Sequence, residues 1–171
     1  MSRFWPHTPF AEDQPYPHAI LYTHVLTRAI QAGAVVGSAS GAAWALLRRS
    51  RGITPPTFAA TILRSTGVGA VVGTGLLAVG LPMRMWGREE IEWKDRSWRL
   101  LENKGQVEVD DWTYGGMALG LVSAVASGRR NLGWRGAVGR VGMGSVVGML
   151  GYMGWRYGIH GGKRESEGTK S

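Results

Sequence analysis

Gly33-Ala34-Val35-Val36-Gly37 is the stretch whose reading decides the fold. Its frame returns at Gly69-Ala70-Val71-Val72-Gly73, nearly at Gly144-Ser145-Val146-Val147-Gly148, and in outline at Gly116-Met117-Ala118-Leu119-Gly120. In each, two glycines stand four apart inside an uncharged apolar run. On a helix that spacing stacks them on one face, where a missing side chain lets a second helix approach closely. In lipid, such packing replaces the hydrophobic force that gathers helices in water. The frame predicts an all-α membrane protein: a glycine-rich bundle of four transmembrane helices. Gly41 extends the first groove by another turn. The expected helix-packing positions are thus Gly33, Gly37, Gly41, Gly69, Gly73, Gly116, Gly120, Gly144 and Gly148.

Working outward, Ala29–Leu47 and Ser65–Met83 are each 19 residues without a charge, close to the roughly 20 that span hydrocarbon. The first helix is expected to start near Ala19. The second runs from about Thr57 to Met85, with Pro82 ending or kinking it, so that residues 19–85 hold the first two spans. Gly67 and Gly75 are expected to face neighbours beside the frame glycines. The later runs, Trp112–Ser127 and Val141–Trp155, have only 16 and 15 residues. Within 112–158 they must borrow flanking residues to cross, or else form a re-entrant hairpin. Arg28, Arg64 and Arg140 each precede a glycine pair by four or five residues, a weak internal repeat.

The remaining segments differ in character. Residues 1–18 combine prolines with Phe4, Trp5, Phe10 and Tyr16; prolines favour an extended arm, either laid across a partner's surface or hanging free. Residues 86–111 mix acids and bases with tryptophans, and Trp86, Trp93 and Leu100 are seven apart. They suggest an interfacial amphipathic helix, lying on the membrane or on a partner, or else a solvated charged loop. Asn103-Lys104-Gly105 should break that helix, with a short extended piece at Val107 and Val109. Residues 159–171 read as a disordered polar tail.

The 27 glycines are about twice the average usage. Each costs about 1 kcal/mol in the interior of a water-soluble helix, so close membrane packing is the compensating reason. Mean hydropathy is near zero because charges cluster outside the four runs. Without cysteines, disulfides, thiolate catalysis and cysteine-based metal sites are excluded. The net charge of +8 would suit nucleic acid, but the arginines sit in short loops: Arg48, Arg49 and Arg51 after the first run, Arg129, Arg130 and Arg135 before the fourth. There they read as topology signals and lipid-headgroup contacts, suited to anionic lipid such as cardiolipin. No nucleic-acid partner is expected. With four spans, both termini and the central segment share the side opposite these loops. The N-terminus, with Glu12, Asp13 and four early prolines, reads as neither signal nor transit peptide.

Nothing in the chain spells out chemistry. The four histidines lack metal-ligand spacing. Asp110-Asp111 reads as interface punctuation or as a partner for arginine, and the glycine strings follow no strand that would make a nucleotide loop. No catalytic residue, cofactor or metal is expected, and the chain is not read as an enzyme.

Two resemblances sharpen this. Gly115-Gly116-Met117-Ala118-Leu119-Gly120, with Asp110 ahead of it and Arg-rich first and third loops, resembles the mitochondrial inner-membrane translocase superfamily. Gln106 stands where that superfamily's motif has arginine. The string from Phe4-Trp5-Pro6-His7-Thr8-Pro9-Phe10 through Glu12-Asp13-Gln14-Pro15-Tyr16-Pro17-His18 is similar to fungal accessory membrane subunits of NADH:ubiquinone oxidoreductase, respiratory complex I. That likeness implies a non-catalytic subunit that stabilises or assembles the membrane arm against other membrane-arm subunits. It also implies an inner-membrane location, with both termini in the intermembrane space. The first resemblance leaves a protein-import component or an assembly factor as the alternative.

Overall fold

The computed structural model describes residues 4–53, 57–127 and 133–161. Five α-helices run through them: α1 (Pro17–Ser50), α2 (Phe58–Arg84), α3 (Glu90–Glu102), α4 (Lys104–Ala126) and α5 (Gly133–Met153). One 3-10 turn at Ala11–Asp13 precedes them, and π-helical turns at Gly154–Ile159 follow. Local chemistry sets several limits. Tyr16 turns the arm into α1 with φ of 55°, and Pro17 opens the helix at a position whose N–H would lack a partner anyway. The hydroxyl of Thr57 and the side-chain oxygen of Asn103 accept the amides of Ala60 and Gln106, capping α2 and α4. Arg48 and Arg49 close α1, cations at the carbonyl end of the helix dipole.

Two of the expectations for the middle of the chain are corrected. Asn103 alone separates α3 from α4, so α4 begins eight residues before Trp112, and Val107 and Val109 are helical rather than extended. Val107 gains a buried place against Ile20 and Leu101, which outweighs its weak preference for strands. Pro82 does not stop α2, which continues to Arg84.

The helices pair as two antiparallel hairpins. Gly41 near the end of α1 meets Ser65 near the start of α2, and Gly73 late in α2 meets Ala29 early in α1. Likewise Gly120 in α4 meets Arg140 in α5, and Gly148 meets Trp112. α2 and α5 then run parallel between the hairpins, with Gly67 against Gly139. Trp93, Ser97 and Leu101 form the buried stripe of α3. Trp93 packs on Leu81, Met85, Leu21, Tyr22 and Val25, so α3 spends its apolar face on its own chain. Trp86 lies outside α3 and is 86% exposed.

The interior is built from small residues: Ala34, Gly37, Gly41 and Ala45 of α1, Thr66, Gly67 and Ala70 of α2, Thr113, Gly116 and Gly120 of α4, and Gly139, Gly142, Ser145 and Gly148 of α5 are all buried. Large apolar residues look outward instead. Leu76 is 68% exposed, Leu119 73%, Val122 64% and Val147 60%. A water-soluble monomer keeps such side chains inside and shows few broad apolar patches.

α1 and α2 are long and apolar enough to cross a membrane, and their most apolar windows are only 33% and 22% buried. A core helix of a soluble protein would be mostly buried. α4 and α5, at 23 and 21 residues, reach about 35 and 32 Å, enough for a hydrocarbon layer of about 30 Å. Their charges keep them out of that class: Glu108, Asp110 and Asp111 in α4, Arg135 and Arg140 in α5. The expectation of four spans is therefore met on length and composition by two helices.

Candidate functional site

A helical hairpin is held by whatever its facing surfaces permit, and here they permit backbone contact. Gly33 lies against the carbonyl of Gly69, and Gly69 against that of Gly33. One turn to either side, Gly37 faces the Ser65 carbonyl and Gly73 that of Ala29, while Gly41 faces the Ser65 side chain. The second hairpin repeats the pattern position for position. Gly116 and Gly144 face each other's carbonyls, Gly120 faces that of Arg140, and Gly148 that of Trp112. The repeating unit is thus the hairpin, in which Gly33 corresponds to Gly116 and Gly69 to Gly144.

A third seam joins α2 to α5. Gly67 faces the Arg135 carbonyl, and Gly139 faces that of Leu63. A methyl on Gly142 would sit 3.1 Å from the Ala34 Cβ. Gly139 stood outside the glycine frame, and nothing local to it signals the contact. Gly75 and Gly115 have nothing within 4 Å of where a Cβ would stand, so Gly75 does not face a neighbour.

Side chains, not backbones, bridge α1 to α4. Asp110 is fully buried. Its Oδ2 lies 2.8 Å from His24 Nδ1, and its Oδ1 lies 2.8 Å from Arg28 Nη2. The second approach is an ion pair without the alignment of a hydrogen bond; Arg28 also donates from Nη2 to Gln106 Oε1 at 3.1 Å and from Nη1 to Gln31 Oε1 at 2.8 Å. Gln31 in turn donates to the Ser145 carbonyl of α5 at 3.1 Å and to Thr113 Oγ1 at 3.4 Å. Thr27 and the Tyr114 hydroxyl meet at 3.3 Å. This polar node links three helices. Pairing is what permits a buried carboxylate at all. Among the described residues no group of three or more His, Asp or Glu could hold a metal.

The N-terminal arm lies on the chain's own α3. Trp98 Nε1 donates to the Thr8 carbonyl at 2.8 Å, Lys94 Nζ to that of Glu12 at 2.7 Å, and the His7 ring stacks on Trp98. His18 adds a contact to Glu90 at 2.9 Å and stands against Trp93. At the start of α4, Glu108 accepts from the Tyr152 hydroxyl and from Arg156, at 2.8 and 2.9 Å.

These contacts divide the molecule by charge. Every acid among the described residues stands at the end that holds the arm, α3 and the start of α4. The opposite end carries Arg48, Arg49, Arg51, Arg64, Arg135 and Arg140. Arg49 and Arg51 are exposed, Arg48 covers the Trp44 ring at 5.1 Å, and Arg135 covers that of Trp134 at 5.5 Å. Arg64 is exposed. Arg129 and Arg130 lie outside the described residues.

A family model described as a protein of unknown function, DUF1757, matches residues 10–153. The chain belongs to the DUF1757 family. No curated protein matches it. The span shared with DUF1757 covers both hairpins, the polar node and the arm from Phe10 onward, while the arm's contacts through His7 and Thr8 lie just outside it.

Proposed function

We propose that this DUF1757 chain is a non-catalytic membrane subunit of mitochondrial NADH:ubiquinone oxidoreductase that stabilises or assembles the membrane arm. The observation that supports it most is the reversed surface. Glycine, alanine, serine and threonine fill the seams, while leucines and valines face outward all round, as suits a body packed among lipids and other membrane helices. All four long helices cross the inner membrane in this reading. The basic end stands in the matrix and both termini in the intermembrane space. The likeness of residues 4–18 to fungal accessory subunits supplies the complex. The basic end holds anionic phospholipid, each arginine near such a leaflet contributing about 1 kcal/mol.

Co-migration tests this directly. The tagged chain, extracted in mild detergent, should run with NADH dehydrogenase activity on a native gel and bring membrane-arm subunits with it. The translocase reading has its own support in Asp110 ahead of the Gly115–Gly120 frame, with Arg28 of α1 supplying a cation to that acid. An import component would crosslink to a precursor in transit and leave the dehydrogenase band.

A further inference from the structure

We infer that the groove between α1 and α2 at the basic end is a specific site for one anionic phospholipid. The inference rests on the reading of this chain as a bilayer protein but assigns a place and a ligand that the reading does not. The groove has a volume of about 400 Å³. Val36, Gly37, Gly69 and Val72 line it together with Arg64 and Arg135. Arg64 comes from α2 and Arg135 from α5, so the cationic mouth exists only when the hairpins are docked.

The order of chemistry along the groove matches that of a lipid. Arg64 precedes Gly69 by five residues, which places the guanidinium's origin roughly 7.5 Å nearer the basic end than that glycine. A phosphate would meet two cations, while an acyl chain would run along the exposed Val36, Val68 and Val72 toward the bilayer centre. Charge complementarity favours an anion. No acid stands at that end among the described residues, and neither arginine has a carboxylate within ion-pair distance there. Guanidinium pairs are well suited to phosphate.

The experiment reconstitutes the full chain in phosphatidylcholine vesicles containing phosphatidylglycerol, re-extracts it in mild detergent and measures co-purifying lipids by mass spectrometry. The native chain should enrich phosphatidylglycerol over the bulk. Arg64→Gln with Arg135→Gln should lower that enrichment about tenfold or more, as loss of two headgroup contacts implies. Arg49→Gln with Arg51→Gln removes the same charge from the exposed loop and should leave it largely intact. Val72→Trp fills the channel without altering charge and should also displace the lipid. Absence of enrichment, equal loss in both arginine pairs, or full retention in Val72→Trp would overturn the site. Carbonate washing of the same vesicles separates the two levels of failure. A chain that washes off was never in the bilayer, whereas one that stays without enriching lipid refutes only the groove.

Discussion

At Gly37 even one methyl group is too large. A Cβ there would press on the Ser65 carbonyl, and one at Gly73 would stand 2.7 Å from that of Ala29. Backbone oxygens cannot swing aside as a flexible side chain can, so helices must separate to admit it. Gly37→Ala should therefore destabilise the bundle by about 1–3 kcal/mol, in the range for overpacked interiors, and Gly37→Leu should block assembly. Gly75→Leu should be nearly silent, since that position opens onto free space. Thermal melting of the detergent-solubilised variants measures the contrast. Asp110→Ala would leave Arg28 facing a buried gap, a loss of about 3 kcal/mol, softened because Arg28 is partly exposed. Pairing Asp110→Leu with Arg28→Met should recover much of that loss, whereas two additive losses would show that the node is more than an ion pair.

Among elements, the seams within each hairpin were legible because glycines four apart are a local signal that needs no knowledge of the partner. The seam between α2 and α5 was not, since Gly139 is recognisable only once Leu63 lies opposite. Of the two readings of Asp110, the arginine partner is the one the structure shows, in Arg28, but its burial inside a helix was hidden for a related reason. The sequence marks where charges stop, at Trp112, but α4 is nucleated by the Asn103 cap and carries the acid inward as a helical residue. The amphipathic pattern of 86–111 was real, yet its buried face belongs to α1 and α2. The arm follows the same logic, and Trp98 is its anchor. Trp98→Ala should remove the bond to Thr8 and the stack on His7, worth about 1–2 kcal/mol together. Hydrogen exchange or limited proteolysis should then find residues 4–16 released, with the hairpins unaffected. Unchanged protection of the arm would assign its docking to Trp5 and Lys94 instead.

At the scale of the molecule two facts act together: a wall of outward apolar side chains and, among the described residues, acids at one end with arginines that have no carboxylate partner at the other. In the proposed reading a bilayer accounts for both at once: the apolar wall would meet acyl chains and the arginines headgroups. α1 and α2 carry this argument by composition; α4 and α5 carry it by length and by the exposure of Leu119, Val122 and Val147. The absence of cysteine makes a clean test possible with single cysteines introduced at Leu76, Val122 and Val147, against one at Gly52 in the basic loop. In intact membranes a water-soluble maleimide should label only Gly52→Cys, from one side, and should label the other three only after the lipid is dissolved and the chain denatured. Rapid labelling of Val122→Cys and Val147→Cys in sealed membranes would place the second hairpin in water and contradict the four-helix bilayer account.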